Sequence, residues 1–147
     1  MATMPRRSFI RAGAAAALAL AMAALAQAQV SQPPHNKALF QVTDNDPARW
    51  NMILNNMTNL REGVGGESIE IELVAFGPGL LMLKADSSSR QRIAEALKNG
   101  VKVNACQNTM NGMKLTPADM LPDIGYVPAG VVEVMRKQQQ GWAYIRS

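Results

Sequence analysis

Between Lys37 and Ile145, short apolar runs take turns with segments of helical spacing, and this alternation limits the fold more than any other feature of the chain. The strand-like runs are Lys37-Ala38-Leu39-Phe40-Gln41-Val42, Ser68 to Phe76, Val101 to Ala105, Tyr126-Val127 and Trp142-Ala143-Tyr144-Ile145. After the first run, Asp46 can cap a helix whose first turn accepts Pro47. Trp50, Ile53, Leu54, Met57, Leu60 and Val64 then recur on one face, and Gly63, Gly65 and Gly66 end the helix. Gly77-Pro78-Gly79 breaks the second run, and Leu80 to Leu83 forms a short apolar turn or helix. Ser87, Ser88 and Ser89 offer caps for a helix carrying Ile93, Ala94 and Leu97, stopped at Asn99-Gly100. Thr116-Pro117-Ala118-Asp119 reads as a capped single turn. Ala129 to Gln140 reads as a helix with Val131, Val134, Met135 and Gln138 near one face. Strands alternating with helices predict an α/β domain, a mostly parallel sheet of about five strands covered on both faces.

In sheets of this kind, ligands bind outside the carboxyl ends of the strands. Three segments are expected there: Thr43-Asp44-Asn45, Gly77-Pro78-Gly79 and Cys106-Gln107-Asn108-Thr109, with Tyr126 to Gly130 able to join them. Cys106 is the only cysteine. It stands where a strand hands over to a short helix or turn, and free N–H groups at a helix start stabilise a thiolate. A single thiol makes no internal disulfide, so it is a packed residue, an intermolecular link or a reactive group.

The N-terminal region bears on the compartment. Arg6-Arg7-Ser8-Phe9-Ile10-Arg11 precedes an alanine-rich apolar run from Ala12 to Ala26, and Ala26-Gln27-Ala28 supplies a small-x-small cleavage pattern. This order of charged, apolar and cleavable parts predicts a signal peptide over 1–28, cut after Ala28. The paired arginines resemble the twin-arginine export signal, with Pro5 and Arg11 departing from its usual pattern. An ordinary secretory signal is the alternative. Residues 29–36, with Pro33-Pro34, read as an extended leader and 37–147 as the domain, which places the protein in the periplasm. The formal charge of +4 comes from 15 basic against 11 acidic residues; losing Arg6, Arg7 and Arg11 leaves 12 against 11, or +1. No Lys/Arg cluster remains that would call for nucleic acid. No later stretch approaches the roughly 20 apolar residues of a membrane span.

Several segments together resemble the DsrE/DsrF-like family. They are Leu39 to Val42, Glu70 to Gly79, Gly100 to Thr109, Leu115 to Leu121, Val127 to Glu133 and Gly141 to Ile145. The resemblance implies a flavodoxin-like three-layer α/β/α fold and a homo-oligomer, a trimer or hexamer. In the sulfur-relay members a cysteine carries sulfane sulfur as a persulfide, and Cys106 is the matching position. The residues after Cys106 differ from the alanine-rich pattern of the relay subunits, and those members work in the cytoplasm.

Three chemistries follow. In the first, Cys106 attacks a sulfane sulfur of a small sulfur compound and passes it to a thiol-bearing partner protein. Asn108 and Thr109 would bond the extra sulfur, while backbone N–H groups at Gly77 and Gly79 would cradle an anionic donor. In the second, the fold is a non-catalytic oligomeric module that binds a ligand or partner, and the thiol merely packs. In the third, Cys106, Met110 and Met113 bind a soft metal such as copper. Asp44 and Asp46 could act as acid and base, but a turn and a cap explain them. His35, the only histidine, lies in the leader, which argues against catalytic triads and His-based zinc sites. The sequence implies no cofactor.

Overall fold

The computed structural model describes residues 35–65 and 68–146. The expected signal peptide, the leader up to residue 34 and Gly66 lie outside these residues. The chain runs β1 (Asn36–Val42), α1 (Pro47–Gly63), β2 (Ile69–Ala75), a 3-10 segment (Gly77–Leu83) and α2 (Arg90–Lys98). It continues through β3 (Lys102–Cys106), α3 (Gln107–Gly112), a 3-10 turn (Pro117–Asp119), β4 (Gly125–Val127), α4 (Gly130–Gln139) and β5 (Ala143–Arg146).

The five strands form one parallel sheet in the order β4-β3-β2-β1-β5. This is the flavodoxin-like three-layer α/β/α architecture expected from the sequence. The chain steps from β1 to β4 in one direction and then returns across the sheet to β5. Because parallel crossovers are right-handed, a reversal of direction puts the returning helix on the opposite face. Helix α4 therefore lies alone on one side, while α1, α2 and α3 lie on the other.

Successive strand residues point to opposite faces. Ala38, Phe40, Val42, Ile71, Leu73, Ala75, Val103 and Ala105 join the core under α1 and α2, with Trp50, Ile53, Leu54, Met57 and Ile93. Burying each large member of that set contributes about 1.5–3 kcal/mol. The α4 side has a smaller apolar cluster of Leu39, Val74, Val127, Val134 and Trp142.

Local signals are satisfied in detail at α1: Asp46 Oδ1 accepts the Ala48 N–H at 2.9 Å, and Pro47 opens the helix. At the 3-10 turn, Asp119 Oδ2 accepts from both the N–H and the hydroxyl of Thr116 at 2.8 Å. Those two bonds hold the Asp119 carboxyl below the usual carboxylate range. Two expectations are corrected. Ser89 precedes α2 but its side chain does not cap it; the Ser87 hydroxyl accepts the Ser89 N–H at 3.1 Å and shapes the turn instead. On α4, Val131 and Met135 face solvent at 64% and 49% exposure, and Gln138 is exposed as well. The stripe turned to the sheet is Gly130, Val134 and Lys137, because the facing strand position is a carboxylate, Glu72, and not an apolar residue.

Candidate functional site

The loop after β3 leaves toward the α1 side, where Met110 of α3 enters the core. The loop after β4 leaves toward the α4 side, where Val134 packs. Adjacent strands whose loops diverge mark a switch point at their carboxyl ends, the place where α/β sheets bind ligands. Cys106 is the last residue of β3 and stands at that switch point.

The thiol is 4% exposed. Its Sγ accepts the Gly130 N–H at 3.2 Å, so the first turn of α4 points at the sulfur. Cys106 is also the N-cap residue of α3, where its side chain makes no capping bond. Burial pushes the thiol pKa up. The Gly130 N–H, with the Thr109 hydroxyl and the backbone N–H groups of Thr109 and Asn108 nearby, outweighs burial and holds it below the ordinary thiol value. The cradle is made of neutral donors, all of which favour the thiolate.

Thr109 links this cradle to the next loop, since its Oγ1 accepts the Gly77 N–H at 3.0 Å. The Asn108 N–H also reaches Pro128 O at 3.1 Å and ties α3 to the β4 loop. Tyr126 to Gly130 thus joins the site through its last residues. The N–H groups expected to cradle an anionic donor are already occupied: Gly77 donates to Thr109, and Gly79 donates to Thr43 O at 3.0 Å. Gly79 has a packing reason instead, because a Cβ there would lie 2.5 Å from Val42 O. Asp44 and Asn45 serve the start of α1. Asp44 pairs with Arg49 at 3.2 Å and its carbonyl accepts Trp50 Nε1 at 2.7 Å, while Asn45 is exposed. Cys106, Met110 and Met113 are not gathered: Met110 is in the α1-side core, Met113 is 38% exposed, and Sγ faces Gly130. Among the described residues, no group of three or more His, Cys, Asp or Glu side chains could hold a metal ion.

The model of the DsrE/DsrF-like family matches residues 10–146. The chain belongs to the DsrE/DsrF-like family. A solved relative in this fold is the protein of unknown function MTH1491 from Methanobacterium thermoautotrophicum, 32% identical with a TM-score of 0.73, covering 76% of this chain and 99% of that one. The protein of unknown function BT1422 from Bacteroides thetaiotaomicron is 14% identical with a TM-score of 0.64, covering 79% of this chain and 100% of that one. The ychN protein from E. coli is 11% identical with a TM-score of 0.62, covering 77% and 99%. These last two show the fold alone. Among curated proteins, none matches this chain.

In this DsrE/DsrF-like protein, sequence reasoning named Gly130 only as the end of a segment and missed Glu72, Asn104 and Lys137. Gly130 supplies the N–H that meets Sγ. Glu72 is 1% exposed and accepts Lys137 Nζ at 2.6 Å and Asn104 Nδ2 at 2.9 Å. Burial lowers the Lys137 pKa, but its hydrogen bond and attraction to Glu72 raise it further, to a net rise above the ordinary lysine value. The available signal was the strict alternation of Glu70, Glu72, Lys102 and Asn104 on one sheet face, which reads as solvent-facing until a helix is known to cover it. No helix among the described residues is long and apolar enough to cross a membrane.

Proposed function

We propose that Cys106 is a nucleophilic thiolate that carries sulfane sulfur as a persulfide. The observation that carries this reading is the Gly130 N–H bonded to Sγ at the sheet's switch point, beside further neutral groups that favour the thiolate. The thiolate attacks the outer sulfur of a hydropersulfide, R–S–SH. A Cys106 S–S bond forms, the donor's own S–S bond breaks, and R–S⁻ leaves. An acceptor thiolate then attacks the outer sulfur and restores Cys106. With the thiol only 4% exposed, the donor end has to be slim, as in an inorganic polysulfide or a small hydropersulfide. Thr109 is the neighbour we assign to the added sulfur, since the Gly77 and Gly79 N–H groups are already taken.

The signal-like segment over 1–28 supports export to the periplasm, with a thiol-bearing protein or small thiol there as acceptor. The family resemblance supports a trimer or hexamer. So do Val131 and Met135, an exposed apolar pair one helical turn apart on α4.

The test is to incubate the reduced protein with polysulfide and measure intact mass. The wild type gains whole sulfur atoms and returns to its starting mass when a small thiol is added. Cys106→Ser gains none. A wild type without added sulfur, or equal addition on Cys106→Ser, rejects the carrier. The second reading, a non-catalytic oligomeric binding module, is favoured by the low exposure of the thiol. It predicts no sulfur uptake and an unchanged assembly in Cys106→Ser.

A further inference from the structure

Helix α4 is fixed to the sheet at two points. At its start, Gly130 lies against Phe76, and a Cβ there would sit 2.5 Å from Phe76 Cδ1. The missing side chain lets the helix approach, and that approach puts the Gly130 N–H 3.2 Å from Sγ. Two turns on, Lys137 Nζ meets Glu72 Oε2 at 2.6 Å and lies 4.3 Å from the centroid of the Trp142 ring. Glu72 also holds Asn104, which stands two residues before Cys106 on β3. One buried carboxylate therefore joins the helix that donates to the thiol with the strand that carries it.

Stability is a poor reason to keep such a pair, because well-packed apolar residues often replace a buried ion pair without loss. An ion pair differs from an apolar contact in being directional, so it fixes register. Register matters here. No charged side chain is among the groups that act on the thiol, so its ionisation depends on where neutral donors point. A hydrogen bond weakens steeply once its angle is lost.

We propose that Glu72 and Lys137 are positioning residues for the Cys106 thiolate, holding α4 in the register that aims the Gly130 N–H at Sγ. This rests on the reading of Cys106 as a working thiolate. Neither side chain touches the sulfur; both act through Gly130.

The test is the pH dependence of iodoacetamide alkylation of Cys106 in the wild type, Glu72→Gln, Lys137→Met and Gly130→Ala, with polysulfide loading measured alongside. In Glu72→Gln the inflection is expected to rise by about one pH unit, which lowers the thiolate fraction at neutral pH about tenfold. Gly130→Ala, which drives the helix off Phe76, is expected to give the same direction of change. Should Glu72→Gln fail to fold, the double variant Glu72→Leu with Lys137→Met removes both buried charges, leaves only the more exposed Glu133 without its lysine, and carries the same comparison. A folded variant of the pair with the wild-type profile overturns the proposal and leaves the sulfur carrier standing. A wild type that takes up no sulfur, together with variant profiles that still shift, rejects the carrier and keeps the positioning pair. A wild-type inflection at the ordinary thiol value overturns both.

Discussion

The two faces of one sheet follow opposite rules. On the α1 side, Phe40, Ile71, Leu73 and Val103 meet apolar residues from two helices and the long loops. On the α4 side, one helix covers Leu39, Glu72, Val74, Asn104 and Cys106, and polar groups are matched one by one. Period-two alternation lets the same strands build both layers. The difference teaches where stability and chemistry are kept. The thick layer supplies apolar burial, and a thin layer beside it can hold a buried ion pair and a polarised thiol without being asked to hold the fold.

Truncation on each side should break that comparison most visibly. Phe40→Ala is expected to cost about 3–5 kcal/mol in urea unfolding, as for a fully buried phenylalanine. Val134→Ala on the thin side should cost roughly 1–2 kcal/mol. Equal losses would mean that the thin layer holds the fold as firmly as the thick one.

Charge removal on the thin side comes next. Glu72→Leu leaves the Lys137 ammonium without its main partner in a site where its side chain is 14% exposed. The loss should fall toward the lower end of the ~3–5 kcal/mol seen when a buried pair is broken, since some water still reaches the ammonium. Adding Lys137→Met should recover most of it, measured by the same unfolding midpoint. No recovery would show that Glu72 stabilises through Asn104 and not through the ion pair.

The smallest expected effect on folding sharpens the comparison at the outer surface. Val131→Ser with Met135→Ser should change subunit stability by only about ±0.5 kcal/mol, because both side chains are exposed. If the outer face of α4 is a subunit contact, the same pair lowers the mass seen by light scattering. Unchanged mass with an oligomeric wild type would place the contact elsewhere.

These layers were unequally legible in the sequence. The strand–helix alternation, the Asp46 cap and the Thr116–Asp119 turn are local signals, and each forms where its residues indicated. The position of Cys106 at a strand end was equally readable. The thin layer was not, for a physical reason. Glu72 and Lys137 are far apart in sequence, and a glutamate and a lysine each read alone as solvent-facing. Only the sheet register and the reversed crossover put one over the other. Val131 and Met135 share a helix face with Val134 in the sequence, and apolar spacing cannot say which edge of that face meets a carboxylate. Gly130 was legible as the end of a segment at the site but not as a donor to the thiol, since its partner sulfur lies 24 residues earlier.

The central claim is that folding makes the only cysteine a better thiolate than the chain alone would. Its most direct test is the pH dependence of Cys106 alkylation, read in the native protein and in urea. The account predicts a native inflection below the roughly 8.5 of a free thiol, and a return to that value on unfolding. In the native protein, the thiolate should persist as the pH falls below the point where the unfolded chain has lost it. One inflection shared by both states, or a higher one in the native protein, would contradict it.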